Sequence, residues 1–359
     1  MVSIIVPTYN ERENLTPLLE RIESTLGSSE DYEVIVVDDD SPDKTWEKAR
    51  ELSGDYPIKV VRRKKERGLG TAVVCGLKES NHDVVVVMDA DLQHPPEKIP
   101  ELVSEIKEGK DIAIGSRFVK GGDKGDFGFF RSIMSRGADF LARTLFRKTR
   151  GIKDIQSGFF ALRKEIVKGA DLDPIGYKIL LEILVQTDYD EVSEVGYKFG
   201  QRKSGESKLG LGSILNYLRH IWSLSRRSGE LARFIKFCSV GGSGALVNLI
   251  VIYLFTSSGL YYLLSGIIAR EAALIYNFSL NKLWTFRDRD ISGAKEILRA
   301  LFRDHLVRTG GFALNLFFLW SLTEFLGLYY LISQVIAIGI ASLWNFTGNT
   351  LWTWRSEGD

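Results

Sequence analysis

Acidic residues gather at the ends of apolar runs in this chain of 359 residues. Asp38-Asp39-Asp40 closes the run Val34-Ile35-Val36-Val37, and Asp89-Ala90-Asp91 follows four consecutive valines. In an extended chain, carboxylates at i and i+2 turn to the same side and repel unless a cation lies between them. Oxygen ligands so arranged suit Mg²⁺ or Mn²⁺, with a diphosphate completing the shell. An isolated Asp-x-Asp is common. Its place after a Val-rich run, ahead of Leu92-Gln93-His94-Pro95-Pro96, gives it weight. His94 reads as a hydrogen-bonded turn residue, and Asp40 and Asp43 as helix caps. The basic, Gly/Ser-containing stretch Arg202-Lys203-Ser204-Gly205-Glu206-Ser207-Lys208 reads on its own as a solvated loop.

Positioning these groups falls to an alternation of elements. Apolar runs rich in Val and Ile predict strands over 3–7, 33–38, 58–62, 83–89 and 111–116. Helical patterns fill 13–26, 43–52, 70–79 and 96–108. That rhythm predicts a mainly parallel sheet covered on both faces, of the α/β class. Ligands of such sheets sit beyond the carboxyl ends of the strands, where the aspartates fall.

The motifs taken together resemble a known family. Pro7-Thr8-Tyr9-Asn10-Glu11-Arg12-Glu13-Asn14-Leu15, Val37-Asp38-Asp39 with Ser41-Pro42-Asp43, Gly68-Leu69-Gly70-Thr71-Ala72 and Met88-Asp89-Ala90-Asp91 resemble the inverting nucleotide-sugar glycosyltransferases of family 2. Within these, the dolichol-phosphate mannose synthases match best. Gly115-Ser116-Arg117, Gln156-Ser157-Gly158 and Gly205-Glu206-Ser207-Lys208-Leu209 carry the match further along the chain. The resemblance implies a GT-A-like, Rossmann-type sheet. It implies that Pro7, Tyr9, Glu11, Val37 and Asp39 hold the base and ribose, and that Asp89 and Ala90 contact ribose or phosphate. Asp91 and Gln93 would ligate the Mg²⁺ or Mn²⁺. Arg202 and Lys208 would close over the diphosphate as a lid, and Arg117 and Arg131, with Ser135 and Arg136 beside them, would seat the acceptor phosphate. Lys178 and Glu182 line the pocket or lie on a surface helix. The chain departs from the family at Asp40 and Lys44, where Gly or Asn and Gly are usual, which leaves the choice of nucleotide open.

The remainder is apolar. Residues 237–269 and 325–354 contain no Asp, Glu, Lys or Arg, more than the roughly 20 residues that span a bilayer. Residues 209–227 read as a Gly-rich start and then an amphipathic helix with Trp and basic residues, suited to a membrane interface or to packing on the first domain. Four spans are expected near 234–256, 262–285, 307–326 and 330–353, an all-α transmembrane domain. Asn277-Phe278, Asn281 and Leu283-Trp284-Thr285 recur as Asn345-Phe346, Asn349 and Leu351-Trp352-Thr353, an offset of 68. Gly241-Gly242 recurs as Gly310-Gly311, one residue out of that register. A duplicated helix pair follows, and the region resembles the GtrA-type membrane proteins. The expected organisation is a glycosyltransferase domain over 1–208, interface helices over 209–229 and a membrane domain over 230–359. Arg287, Arg289, Arg299, Arg303 and Arg308 between the pairs put that link, the catalytic domain and the C-terminus in the cytoplasm.

Composition narrows the partners. A formal charge of +1 gives no basic stripe for nucleic acid. Cys75 and Cys238 are too few and too far apart for a disulfide scaffold and read as small buried apolar residues. The first residues carry no basic segment and no cleavage site, so no signal peptide is expected. The expected activity is transfer of mannose from GDP-mannose to dolichyl or another polyprenyl phosphate, giving the β-linked mannosyl phosphate lipid and GDP. A UDP-glucose-dependent glucosyltransferase and a lipid-linked-sugar flippase with a sensor domain are the alternatives, and oligomeric state, a homo-oligomer included, is open.

Overall fold

The computed structural model describes residues 1–27, 31–123, 139, 141–200, 211–289 and 291–355, with backbone alone for 211–214. The chain forms two compact units, Met1–Ser228 and Gly229–Asp359.

The first unit is built on a seven-stranded sheet: β1 (Val2–Thr8), β2 (Tyr32–Asp38), β3 (Ile58–Arg62), β4 (Val84–Val87), β5 (Ile112–Ser116), β6 (Phe160–Arg163) and β7 (Val192–Gly196). Their order is β3-β2-β1-β4-β6-β5-β7. All neighbours pair parallel except β6, which runs antiparallel between β4 and β5. The order reverses beside β1, and the register places Thr8 beside Asp38 and Asp38 beside Arg62. Both faces are covered, as strands this uniformly apolar require. On one face α1 (Arg12–Leu26) and α4 (Ile99–Lys107) cover Ile4, Val6, Val34 and Val36. On the other, α3 (Leu69–Glu79) and the helix Ile179–Gln186 cover Ile5, Ile35 and Val37, and the helix Leu211–Arg227 adds Ile221 and Leu224 to the same cluster. Strands β6 and β7 and the helix Ile179–Gln186 lie beyond the five expected strands. Strand β4 stops at Val87, two residues earlier than expected, so Asp89 and Asp91 stand in the turn after it rather than on alternating strand positions.

The second unit contains four long helices, Glu230–Ser257, Tyr262–Leu280, Ala294–Glu324 and Tyr330–Gly348. The second and fourth run on into single π-helical turns, Asn281–Thr285 and Asn349–Thr353. Among the described residues, three helices are long and apolar enough to cross a membrane: Glu230–Ser257, Tyr262–Thr285 and Tyr330–Thr353. Ala294–Glu324 matches them in length, but Arg299, Arg303, Asp304 and Arg308 charge its first half. Cys238 is exposed on the first of these helices, not buried as expected, while Cys75 in the first unit is half-buried.

The duplication is visible in the packing. Phe278 stacks on Trp354 at 5.0 Å, and the counterpart pair Phe346 and Phe286 stack at 6.4 Å. Phe286 and Trp354, themselves counterparts, stack on each other at 5.3 Å, as residues astride an internal two-fold do. The glycine correspondence differs from the expected one. A Cβ on Gly244 would meet the Asn277 amide, and one on Gly311 the Asn345 amide, whereas Gly241 and Gly242 face open space. Gly244 is therefore the partner of Gly311, because each must let its helix approach an asparagine. The two copies differ in their hydrogen bonds. Trp354 Nε1 donates to Asn349 Oδ1 at 3.0 Å. Phe286 has no such donor, and Asn281 Oδ1 is buried without a hydrogen-bond partner among the described residues. Removing the donor from the second repeat with Trp354→Phe should cost about 1–3 kcal/mol, the penalty of an orphaned buried acceptor. Unfolding in detergent should show this loss, and a Trp354→Phe/Asn349→Leu double variant should recover part of it.

Candidate active site

Two loops at the carboxyl edge of the sheet are sewn together by short polar side chains. Ser41 Oγ donates to Asp38 Oδ2 at 2.6 Å and accepts the Asn10 N–H at 3.0 Å. Thr45 Oγ1 donates to Asp43 Oδ1 at 2.6 Å and accepts the Glu11 N–H at 3.0 Å. Asp43 Oδ2 takes the Arg12 N–H at 3.1 Å, so one carboxylate serves the starts of both α1 and α2 (Thr45–Leu52). Asp43 is thus the cap it was expected to be. Asp40 instead pairs with Arg62 at 2.5 Å, and that guanidinium lies 3.6 Å from the centre of the Trp46 ring. Asp40 and Lys44 both have positive φ, 54° and 63°. These are the two positions where the chain departs from the glycine-type residues of the family it resembles. The backbone still makes the left-handed turn, at a cost for a side chain of roughly 1–2 kcal/mol.

Among the expected nucleotide residues, Pro7 and Val37 are neighbours on β1 and β2. Tyr9 lies at the end of β1 with the Arg67 guanidinium 5.5 Å from its ring centre. Glu11 accepts from Asn14 Nδ2 at 2.6 Å. Asp39 is buried, and one oxygen accepts from both Nε and Nη2 of Arg63 while the other takes the Gly68 N–H at 2.7 Å. Arg63 also donates to Thr71 Oγ1 and to the Gly68 carbonyl. Sequence reasoning missed Arg63. The parallel register was the available signal, since Asp38 faces Arg62 and the Arg63 N–H bonds the Asp38 carbonyl at 2.8 Å.

The turn after β4 carries Asp89, Ala90, Asp91 and Gln93. Leu92 has φ 65°, and the Gln93 N–H bonds Asp91 Oδ1 at 3.1 Å, which folds the turn on itself. Gln93 Nε2 donates to the Gly200 carbonyl at 3.1 Å, and the Gly200 N–H returns to the Gln93 carbonyl at 2.9 Å. His94 Nδ1 accepts the Asp89 N–H at 3.0 Å. The His94 ring is buried against Phe159, Tyr197 and Phe199. Burial, then the Arg117 charge, push its pKa down to about 3, so it is a neutral turn residue as expected. Gly158 closes the floor. A Cβ there would sit 3.0 Å from Asp89 Oδ2 and 3.2 Å from His94 Cε1.

Arg117, at the end of β5, grips Asp154 with two parallel bonds of 2.8 Å, and its N–H adds a third of 3.1 Å. Burial opposes the charge, but the Asp154 bonds hold the guanidinium pKa above its usual value. Asp154, 37 residues distant, had no signature in the sequence. Near this pair stands Asp139, held by Gln156 Nε2 at 2.7 Å. Burial pushes its pKa up to about 6, with Arg143 the strongest opposing charge. Arg131, Ser135, Arg136, Arg202 and Lys208 lie outside the described residues.

Glu182 does not lie on a surface helix. It is fully buried, accepts from His220 Nε2 at 2.7 Å and from the Asp173 N–H at 3.0 Å, and pairs with Arg227 at 2.7 Å. Burial works to raise its pKa, and these bonds outweigh it and hold it below the usual carboxylate range. They dock the helix Leu211–Arg227 by one face, while Leu215, Leu218 and Trp222 stand 54%, 47% and 62% exposed on its other side.

The sheet is of the GT-A-like class and is followed by a helical unit with three candidate membrane helices among its described residues. The pattern of glycosyl transferase family 2 matches residues 3–169, and that of the GtrA/DPMS transmembrane domain matches residues 236–354. The dolichol-phosphate mannosyltransferase of Pyrococcus furiosus is 49% identical over 99% of both chains. The enzymes of the same name from Mycosarcoma maydis and Saccharomyces cerevisiae are 37% and 34% identical, over 62% and 66% of this chain and 79% and 93% of theirs. The chain belongs to the dolichol-phosphate mannosyltransferase family. It is a glycosyltransferase and a membrane protein.

Two outcomes test the local physics. Lys44→Gly should raise stability by about 1 kcal/mol, because glycine adopts φ 63° without the side-chain clash. Chemical unfolding of the purified protein measures it. Glu182→Ala should cost about 3–5 kcal/mol, since it strands His220 and Arg227; proteolysis between Arg227 and Glu230 should speed up with it.

Proposed function

We propose that the protein transfers mannose from GDP-mannose to a polyprenyl phosphate and inverts the anomeric carbon. The single observation that supports this most is the meeting, at one edge of the sheet, of the folded Asp89–Gln93 turn with the Arg117–Asp154 pair. The first suits a sugar diphosphate and the second an attacking phosphate.

Residues around Asp91 fit a divalent ion. Asp91 supplies a carboxylate, and Gln93, its Nε2 committed to Gly200, keeps the carbonyl Oε1 as the atom able to ligate a cation. Among the described residues no group of three His, Cys, Asp or Glu gathers as a centre of its own. One carboxylate, one amide oxygen and substrate phosphates is the shell that Mg²⁺ usually takes. Bound there, the ion supplies positive charge to the departing diphosphate.

The protein's own groups do the rest. Tyr9, Glu11 and Asp39, with Pro7 and Val37 beneath them, hold the base and ribose. The Asp39 carboxylate is fixed for this by Arg63 and the Gly68 N–H. Arg202 and Lys208 close on the diphosphate. Arg117, Arg131 and Ser135 seat the lipid phosphate, which near neutral pH already carries its second charge, its pKa being roughly 6. One of its oxygens attacks the anomeric carbon from behind. The new C–O bond forms as the bond to the diphosphate breaks and its electron pair leaves with GDP, so no protein base is required. We infer too that residues 1–208 form the catalytic domain, 209–229 the interface helices and 230–359 four spans. The arginines between the helix pairs keep the catalytic domain and C-terminus in the cytoplasm.

Purified protein given a polyprenyl phosphate, Mn²⁺ and equal GDP-mannose and UDP-glucose should consume GDP-mannose and yield a hexosyl monophosphate lipid by mass spectrometry. Consumption of UDP-glucose would reassign the base site. Asp91→Ala should abolish turnover, and a chelator should stop the wild type reversibly. Wild-type rates in the variant would remove Asp91 from the mechanism.

A further inference from the structure

Lys178 immediately precedes the helix Ile179–Gln186, in a stretch pinned on both sides. Ahead of it, the Gly70 N–H bonds the Gly176 carbonyl at 3.0 Å, and a Cβ on Gly70 would meet Pro174 at 2.8 Å, so the loop lies tight against the start of α3. One turn after it, Glu182 is locked by His220, Arg227 and the Asp173 N–H. The lysine is half-buried, yet its ammonium makes no hydrogen bond or ion pair with any described residue. Its close contact is the Tyr177 ring, 4.5 Å from Nζ to the ring centre. Two other described basic groups at this edge are already paired, Arg117 with Asp154 and Arg63 with Asp39.

An ammonium held in place, partly dehydrated and matched to no carboxylate is set to receive an anion that arrives later. Its electrostatic neighbours are Arg117, Asp139, Asp154 and Asp89, the groups that flank the expected acceptor seat. Burial, then the Arg117 charge, push its pKa down to about 8, with Asp139, Asp154 and Asp89 opposing. A dianionic phosphate beside it would restore the charge.

We propose that Lys178 is a further cationic contact for the attacking lipid phosphate, acting together with Arg117. This rests on the acceptor reading above and adds a residue to it. Arg117 has given two of its donors to Asp154, so the guanidinium alone offers the phosphate a neutralised pair rather than a net charge. Lys178, with no such partner among the described residues, adds net positive charge as a point ammonium suited to a phosphate oxygen.

The test is equilibrium binding of a short-chain polyprenyl phosphate to full-length protein in detergent, with the uncharged polyprenol as control and without sugar nucleotide. Lys178→Gln should weaken phosphate binding roughly 10- to 100-fold, the range for a lost charge-assisted bond, and leave polyprenol binding unchanged. Lys178→Arg should keep most of the affinity. GDP binding in Mg²⁺ should stay at its wild-type value in both variants, which also reports that they fold. Wild-type lipid-phosphate affinity in Lys178→Gln would overturn the assignment, and so would a loss confined to GDP. Because this readout involves no donor sugar, failure of wild-type protein to use GDP-mannose would count against the proposed reaction and not against Lys178.

Discussion

Crowding of carboxylates at one edge of a parallel sheet is the constraint on which the first unit turns. Asp38, Asp39, Asp89 and Asp91 stand at or just beyond strand ends, Asp154 reaches the same edge from a loop by binding Arg117 after β5, and Asp38, Asp39, Asp91 and Asp154 are buried. Left alone, such charges would repel and would be costly to dehydrate. Each is answered differently. Asp38 takes hydroxyl and backbone donors from Thr8 and Ser41. Asp39 and Asp154 take a guanidinium each, with a backbone N–H in addition. Asp91 takes the Gln93 N–H within its own turn. The acids with full cationic partners are therefore scaffold as well as site.

How far this was legible in the sequence depended on distance along the chain. The β/α rhythm, the aspartates at strand ends and the Asp43 cap are local, and local patterns carried them. Strand β6 was missed because its four residues Phe160–Arg163 return antiparallel between β4 and β5, outside the parallel β/α rhythm. Asp154 and Glu182 were unreadable for the same reason: their partners lie 37 and 38 residues off. Asp40 and Lys44 are instructive in the opposite sense. Their side chains hid a left-handed backbone that glycine would have announced, and only the backbone φ restores the turn.

The membrane unit follows another logic. A motif repeated at an offset of 68 gives two π-helical turns, each with a buried Asn and Thr and each closed by a bond to the Asn carbonyl, from Phe286 N–H in one and Trp354 N–H in the other. Small residues set the packing: Gly244 and Gly311 let their helices close on Asn277 and Asn345, the close approach expected where lipid supplies no hydrophobic driving force. The aromatic residues across the pseudo-two-fold are the conserved geometry of the duplication, while the Phe286/Trp354 difference shows the two copies satisfying the same asparagine unequally.

The proposed reaction has to bring a water-soluble diphosphate and a lipid phosphate to one carbon. Within the first unit, a single short helix links the two demands. Its first turn follows Lys178, among the charges of the site, and its buried Glu182 holds the helix Leu211–Arg227 through His220 and Arg227. The face of that helix turned from the domain carries Leu215, Leu218 and Trp222 beside Arg219 and Arg226, apolar and basic groups of the kind that settle at a lipid headgroup boundary. Rigid docking matters here, because a side chain misplaced by about 1 Å loses much of its effect on a reacting group. The buried Glu182 clamp thus does more than stabilise: it fixes the spacing between an amphipathic surface and the ammonium that would meet the lipid's phosphate.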